Sequence, residues 1–232
     1  MPIFVSDSNN EIDSAYQNLL RTLAWKKSFG LHQFKLSDFS SEIYDIYCFE
    51  IYSKDKFNRI ILSESYKRQK YFSELDQLVR NIIAYQIEKA DRLAFENGPE
   101  NGVIYLGDFT DTPVLHLNVP LAKFRVDVIN QHYPLMCQKI GLINVPFLLK
   151  PVIKLIVSFL KPSIKDAVEN YTYETLKEQI SDEVLHEDMK GNRKKREIPE
   201  GTGTLKNLIG KVGITEEAVK QFYKFHQLEY NN

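Results

Sequence analysis

The sequence predicts an α/β fold in which helices pack on a mixed, mostly parallel β-sheet. Helical and strand patterns alternate along the 232 residues without an internal repeat, an order typical of layered α/β architectures. Two short apolar runs, residues 102–109 and 139–145, are bounded by turn residues, as buried parallel strands usually are. One predicted helix separates them, and this spacing of strand, helix and strand indicates a right-handed parallel crossover.

Composition indicates a globular protein that does not bind nucleic acid. Hydrophobic residues make up 43% of the chain, far from the composition of disorder, and 30 Lys and Arg balance 31 Asp and Glu. The only cysteines, Cys48 and Cys137, cannot build a disulfide framework or a Cys-rich zinc site, which favours a reducing compartment. Residues 1–10 lack the pattern of a signal peptide. We therefore expect a cytoplasmic protein.

Two long amphipathic helices are predicted in the first hundred residues. Residues 11–29 carry apolar side chains at helical spacing, and Gly30 is expected to end that helix. A capping-box-like start at Ser73 begins a second helix, whose apolar stripe continues to the turn at Asn97. Both predicted helices have one apolar face.

The predicted sheet contains an antiparallel hairpin and two parallel strands. Residues 46–52 and 59–65 are rich in aromatic and β-branched residues and flank a polar segment, which predicts the hairpin. A helix over residues 120–131 connects the two buried strands, residues 102–109 and 139–145. The sheet is therefore expected to be mixed.

The last sixty residues give weaker patterns. Residues 173–180 predict a short helix, residues 190–196 a basic loop in solvent, and residues 201–213 a glycine-containing linker. Thr215 is expected to cap a final helix, which we regard as a possible contact for a protein partner.

Residues 147–161 combine a narrow polar stripe with a wide apolar arc. Polar residues recur three or four positions apart and would share one face of a helix: Lys150, Lys154, Ser158 and Lys161, continued by Lys165. The apolar arc is wider than one contact with a sheet requires. More protein, a lipid on the inner side or a membrane on the outer side could cover the surplus. A core helix with its lysines in water is the plainer alternative.

The sequence carries no motif of a known catalytic or metal site. No Walker loop, nucleophile elbow or zinc-protease helix occurs. The sequence His186, Glu187 and Asp188 could bind a divalent ion, but a solvated loop is the better interpretation. Asp108 follows a strand, where α/β folds place functional carboxylates, yet turn capping explains it equally well. We predict that the protein is not an enzyme and uses no metal or cofactor.

Residues 133–162 resemble the most recognisable stretch of the CRAL-TRIO family of lipid-binding domains. That stretch has a Tyr-Pro pair, an "IINAP"-like strand end and an apolar helix closing on "KPFL". An aspartate-ended strand and an "L…WRK" helix come earlier in the family's order. The matching positions here are Trp25, Lys26, Lys27, Asp108, Tyr133, Pro134, Ile143, Asn144, Pro146, Phe159 and Leu160. The resemblance covers about residues 11–192. It implies a shortened helical segment over residues 1–40 and the lipid-binding domain over residues 41–192. Residues 193–232 then form the basic loop, the linker and the C-terminal helix.

The resemblance implies that a sheet-floored apolar pocket holds one lipid under a mobile gate helix that opens at membranes. The implied pocket residues are Ile104, Leu106, Phe109, Ile140, Leu142 and Ile143. The implied gate helix contains Phe147, Leu148, Leu149, Val152, Ile153, Leu155, Ile156, Phe159 and Leu160. The implied membrane-facing basic residues are Lys150, Lys154, Lys161 and Lys165. The protein would then be a cytoplasmic, transiently membrane-associated carrier of a phospholipid, a retinoid or a tocopherol-like lipid.

Several departures from the family pattern bear on the ligand. In the phosphatidylinositol-binding branch a Glu follows the Tyr-Pro pair, whereas this chain has Leu135, and Ala167 stands where that branch has a lysine. We therefore expect little preference for phosphatidylinositol. A protein-interaction scaffold, as in relatives that act with small GTPases, is the alternative function, and an enzyme is the third.

Overall fold

A five-stranded mixed sheet forms the centre of the molecule. The computed structural model describes residues 11–133 and 136–230. The strands lie in the order β1 to β5, with β1 antiparallel to β2 and every later pair parallel. Their bounds are β1 Glu50–Lys54, β2 Ile60–Ser65, β3 Val103–Asp108, β4 Cys137–Ile143 and β5 Val168–Tyr171. The predicted mixed, mostly parallel sheet is confirmed.

Eight α-helices surround this sheet in the described part of the chain. They are α1 Ile12–Phe29, α2 Ser41–Tyr47, α3 Asp76–Glu96, α4 Val119–His132, α5 Lys150–Ser158, α6 Pro162–Lys165, α7 Tyr173–Leu176 and α8 Glu216–His226. The predicted long helices α1, α3 and α4 are confirmed, as is the start of α8 at Thr215, whose hydroxyl accepts from the Ala218 N–H. Gly30 ends α1 in a left-handed conformation that glycine adopts without steric cost.

Different parts of the chain pack on the two faces of the sheet. Side chains alternate along each strand, so neighbouring residues belong to different clusters. Tyr105 of β3 and Leu142 of β4 lie in the larger core cluster, with residues of α2, α3, α4, α5 and α8. Ile104 and Leu106 of β3 lie in a second cluster, which contains Tyr173, Leu176 and other residues of the segment after β5. The helices expected around the pocket therefore pack on one face only.

The first strand begins later than the sequence predicts. Residues 46 and 47 belong to α2, which Ser40 begins by accepting a hydrogen bond from the Ile43 N–H. Buried aromatic and β-branched residues of α2 produced the strand-like pattern. Strand β5 was missed because its four residues, VENY, form an edge with two exposed polar side chains. The helix predicted over residues 173–180 ends at Leu176.

The predicted basic loop is anchored to the sheet, so its description as a solvated loop is wrong. Both terminal guanidinium nitrogens of Arg193 donate to the Glu50 carboxylate, at 3.2 and 2.8 Å, and the Glu197 N–H donates to it at 2.7 Å. Arg196 forms a further ion pair with Glu50. A nearly buried carboxylate is stable when charged partners surround it. The predicted linker also packs inward, with Leu205 and Leu208 buried.

Candidate functional site

An apolar cavity lies between the sheet and helices α4 and α5. Its volume is about 60 Å³, enough for a few water molecules. Almost the whole wall is apolar, although three of the lining residues, Tyr66, Tyr105 and Arg125, also carry polar groups. The lining side chains from the sheet side are Tyr66, Tyr105, Phe109, Ile140 and Leu142, and those from α4 and α5 include Val126, Ile129, Ile153, Ile156, Val157 and Leu160.

The structure divides the six predicted pocket residues between the two faces of the sheet. Phe109, Ile140 and Leu142 line the cavity. The other three, Ile104, Leu106 and Ile143, lie in the cluster on the opposite face and are not part of the cavity wall. Strands buried on both faces have no polar residue to mark which side faces the cavity, so the sequence could not separate the two sets.

Helix α5 covers the cavity with one apolar side, while large apolar side chains of the turn before it and Leu155 of the helix itself are exposed. A 3₁₀ turn, Phe147–Leu149, leads into it. Ile153, Ile156, Val157 and Leu160 line the cavity, whereas Leu149 is buried beside it and Val152 and Phe159 are half-buried outside it. Phe147, Leu148 and Leu155 are exposed.

The helix is shorter than the predicted segment of residues 147–161, and its end is fixed by a proline. Lys161 has an extended backbone conformation and precedes Pro162, which disfavours a helical conformation in the residue before it. The predicted stripe of four lysines is therefore divided. Lys150 and Lys154 are exposed on α5, whereas Lys161 precedes α6 and Lys165 ends it, both half-buried.

An open groove of about 750 Å³ lies on the other side of α5, towards β5. Leu142, Ile153 and Val157 line both the groove and the cavity. Lys150 and Lys154 also line the groove. Ile153 and Val157 thus lie between the small cavity and the large open groove.

A buried polar cluster lies beside the cavity, where β2, β3 and α4 meet. An Arg125 terminal nitrogen donates to Glu64 Oε2 at 2.8 Å, and Gln69 Nε2 donates to the same oxygen at 3.0 Å. The Tyr66 hydroxyl donates to Glu64 Oε1 at 2.7 Å and lies 3.2 Å from the Tyr105 hydroxyl. Burial raises the pKa of Tyr66 well above its ordinary value. We call Glu64, Tyr66, Gln69, Tyr105 and Arg125 the polar cluster.

Sequence analysis missed the polar cluster, although two residues gave a signal. Glu64 follows four residues of a strand with an apolar pattern, and Arg125 lies on the inner face of α4, next to Leu121 and Ile129 in the helical repeat. A charged residue on a face that is otherwise buried requires a partner. Such residues are therefore candidates for buried pairs or ligand contacts.

Asp108, which sequence analysis singled out at the end of a strand, connects the loop after β3 to the segment after β5. Its Oδ1 accepts from the Thr110 N–H and hydroxyl, at 2.9 and 2.6 Å, and its Oδ2 accepts from the Tyr173 hydroxyl at 3.0 Å. Burial raises its pKa, while these hydrogen bonds oppose that effect. Asn144 Nδ2 donates to the Thr110 hydroxyl at 2.9 Å and joins the loops after β3 and β4. Both carboxylate oxygens are thus used in the fold.

The loops after β3 and β4 expose large apolar side chains at the same edge of the sheet. Leu115 is 93% exposed, Phe147 80% and Leu148 71%. The Lys150 ammonium lies 5.8 Å from the centre of the Phe147 ring. We call Leu115, Phe147 and Leu148 the exposed apolar edge; sequence analysis identified its second loop and missed Leu115.

The motif residues near the N-terminus meet those at the end of α4. Trp25 stacks on His132 with ring centres 4.1 Å apart, and Lys26 forms a 2.6 Å ion pair with Glu88, which accepts from the Tyr133 hydroxyl. These contacts attach α1 to α3 and α4 and lie outside the cavity wall. The next two motif positions, residues 134 and 135, lie outside the described residues.

Residues 11–133 and 136–230 contain neither a helix that could span a membrane nor a cluster of metal ligands. No helix in these ranges has both the length and the apolar character needed to cross a bilayer. The same ranges contain no group of three or more His, Cys, Asp or Glu that could hold a metal ion. His186 uses its Nδ1 to accept from the Asp188 N–H at 3.2 Å, as a turn cap.

Comparison with known proteins agrees with this geometry. The crystal structure of Sfh5 is similar to this chain with a TM-score of 0.65 and 18% sequence identity, over 96% of this chain and 78% of that one. At that identity the likeness shows the fold alone. The model of the CRAL/TRIO domain matches residues 45–191, which hold all five strands, the cavity wall and α5. The chain therefore belongs to the CRAL/TRIO domain family, whose members generally bind and transfer lipids.

Proposed function

We propose that this protein binds one hydrophobic lipid between the sheet and α5 and carries it between membranes or presents it there. The observation that carries the proposal is the cavity with an almost wholly apolar wall, covered by a short helix with apolar side chains on two sides. Each CH₂ group of a lipid that leaves water contributes about 0.8 kcal/mol. An apolar cavity beneath a movable cover can therefore retain a lipid chain.

Binding requires a displacement of α5, which we infer from volumes. The cavity of about 60 Å³ cannot hold a lipid chain, whereas the groove beyond Ile153 and Val157 has about 750 Å³. If α5 moves away from Leu142, the cavity and the groove become one space with an apolar floor. Movements of this kind set the rate of entry and release in many proteins with lids.

We further propose that the exposed apolar edge docks on an anionic membrane. Leu115, Phe147 and Leu148 would enter the headgroup region, and Lys150 and Lys154 would meet anionic headgroups beside them. Each lysine near such a surface contributes about 1 kcal/mol. Docking at this edge would bring the first turn of α5 to the lipid phase, where the helix can open without exposing the ligand to water.

The experiment that tests the binding site compares two tryptophan variants of α5. Val157 lines the cavity and the groove, whereas Val152 is half-buried on the same helix and lines neither. We expect Val157→Trp to fill the space and to lower lipid uptake several-fold, and Val152→Trp to behave like the wild type. Lipids are extracted from the purified proteins and identified by mass spectrometry, and transfer of a fluorescent lipid between vesicles is followed.

Two outcomes would contradict the proposal. Equal lipid uptake by both variants would show that the ligand does not occupy the space beside Val157. A folded wild-type protein that holds no lipid from several expression hosts and transfers none would contradict lipid binding itself and favour an interaction scaffold. Wild-type transfer of phosphatidylinositol well above that of phosphatidylcholine would contradict the expected weak preference for inositol lipids.

A further inference from the structure

Helix α1 carries an apolar stripe that the described residues leave uncovered. Its large side chains, Ile12, Tyr16, Leu20 and Leu23, are between 40% and 64% exposed. They recur at intervals of four, four and three residues, so they lie on one face of the helix. Every other α-helix in residues 11–133 and 136–230 exposes at most one large apolar side chain. We call these four residues the α1 stripe.

The α1 stripe cannot be buried by a rotation of the helix within its own fold. Another side of α1 is attached to α3 and α4, where Thr22 is buried with its hydroxyl 3.3 Å from His132 Nδ1. Trp25 stacks on His132, and Lys26 forms an ion pair with Glu88. A rotation that buried the stripe would break these contacts. A cover for the stripe therefore has to come from outside residues 11–133 and 136–230.

We propose that the α1 stripe binds the α1 stripe of a second copy of this chain, in an antiparallel pair of helices with a two-fold axis at Leu20. In this arrangement each Leu20 contacts the Leu20 of the second copy, and Tyr16 lies next to Leu23 on either side of the axis. A two-fold contact uses the same surface on both molecules, so one stripe is sufficient. No residue of α1 lines the cavity or the groove. The inference therefore goes beyond the proposed function and does not depend on it.

The charges of α1 determine the direction of the pair. Asp13 lies in the first turn of the helix and Lys27 in the last turn; both are exposed, and neither forms an ion pair within the described residues. They stand seven residues before and after Leu20, two helical turns in each direction, and so share its face. An antiparallel pair centred on Leu20 therefore places Asp13 of each copy beside Lys27 of the other. A parallel pair would place like charges together, which is unfavourable.

The contact area is small, so we expect a weak dimer. Stable protein interfaces involve about 20 to 30 residues on each side, whereas the stripe and its two flanking charges provide six. A dissociation constant of about 1 to 100 µM is expected for an interface of this size. Sedimentation equilibrium of the full-length protein across this concentration range measures it.

The variant Leu20→Glu tests the centre of the pair. Leu20 is exposed in the middle of α1 and Glu is a good helix former, so the change should leave the fold and its circular dichroism spectrum intact. In the dimer it brings two carboxylates together at the axis, and we expect the dissociation constant to rise about tenfold or more. Phe57→Glu is the matched control, since Phe57 is 58% exposed between β1 and β2. This control should keep the wild-type dissociation constant.

Two charge variants test the antiparallel direction. Asp13→Lys brings two ammonium groups together at each end of the pair, and Lys27→Glu brings two carboxylates together there. Each variant alone should therefore dimerise several-fold more weakly than the wild type. In an equimolar mixture of the two variants, both ends of a heterodimer join opposite charges. The mixture should therefore regain an affinity near that of the wild type.

The results that would overturn the proposal are distinct. A wild type that stays monomeric across the whole concentration range would overturn it; if that monomer also binds vesicles and Leu20→Glu weakens the binding, the stripe contacts a membrane instead. Equal weakening by Leu20→Glu and Phe57→Glu, or no gain of affinity in the mixture, would also overturn it. Lipid uptake should be the same in all these variants, so a failure of the proposed function would leave this result unaffected.

Discussion

The side chain of Asn130 on α4 forms hydrogen bonds with Phe159 and Lys161, which follow the C-terminal end of α5. Its Nδ2 donates to the Phe159 carbonyl oxygen at 2.8 Å, and its Oδ1 accepts from the Lys161 N–H at 3.2 Å. The C-terminal end of α5 is therefore attached to α4 through one side chain, whereas Phe147 and Leu148, before the N-terminal end, lie in solvent. If α5 opens, we expect it to turn about the end that Asn130 fixes.

Replacement of Asn130 by Ala should loosen this attachment. The variant loses two hydrogen bonds in a mostly buried place, so we expect the free energy of unfolding to fall by about 1 to 3 kcal/mol and lipid transfer between vesicles to accelerate. Asn81→Ala on α3 is the control, because Asn81 is also buried and hydrogen-bonded but does not contact α5. Equal transfer rates for Asn130→Ala and the wild type would contradict a pivot at this residue.

Replacement of Lys150 and Lys154 by Gln should weaken binding to anionic vesicles. At about 1 kcal/mol for each lysine, the loss at low salt is about 30-fold, and it should shrink as salt shortens the Debye length. Co-sedimentation with and without anionic lipid measures it. The double variant of Lys194 and Lys195, which are exposed far from α5 in sequence, controls for net charge. An equal loss in both double variants would indicate a general charge effect.

Replacement of Phe147 by Ser should weaken vesicle binding at every salt concentration. Insertion of this ring into the bilayer interface would contribute about 1.5 to 3 kcal/mol through the hydrophobic effect, which salt does not screen. Phe95→Ser is the control, since Phe95 is 65% exposed near the end of α3. Vesicle flotation at low and high salt makes the comparison. Similar losses in the two variants would disprove a specific role of the exposed apolar edge.

His226 should make the protein less stable in mild acid. Burial, with nearby Arg68 and Lys70, lowers the pKa of His226 from 6.5 to about 4. The folded state therefore favours the neutral ring, and its stabilising contribution is complete above pH 6.5 and is lost as the pH falls towards 4. His226→Phe should reduce this loss, measured as urea midpoints from pH 7.5 to 4.5. His32→Phe, at an exposed position, should leave the profile unchanged.

Two other groups shape the same pH profile. Burial lowers the pKa of His132 to about 4, which adds to the effect of His226. Burial raises the pKa of Asp91 from 3.8 to about 6, so its contribution is present below pH 3.8 and is lost as the pH rises towards 6. Because the two histidines act against the one aspartate, the free energy of unfolding should still increase as the pH rises from 4.5 to 6.5. A profile that falls from pH 4.5 to 6.5 would contradict this assignment.

The sequence predicted the elements that have one clear periodicity. Helices α1, α3 and α4 and the central strands follow their apolar spacing closely. Which face of β3 lines the cavity was hidden, because Ile104 and Tyr105 are both buried. The last two residues of α2, Ile46 and Tyr47, were assigned to a strand because β-branched and aromatic residues pack well in either element once buried. The contact between Glu64 and Arg125 joins residues 61 positions apart, and a single sequence marks each as an unusual charged residue without showing that the two pair with each other.

The ion pairs of Glu50 connect the residues that match the family to residues beyond that match. The signature ends at residue 191, but the guanidinium groups that neutralise Glu50 come from Arg193 and Arg196. A fragment trimmed to the signature would carry an unneutralised carboxylate inside its first strand, at a cost of about 3 to 5 kcal/mol. A domain limit taken from the family match alone would therefore remove the two arginines that neutralise Glu50.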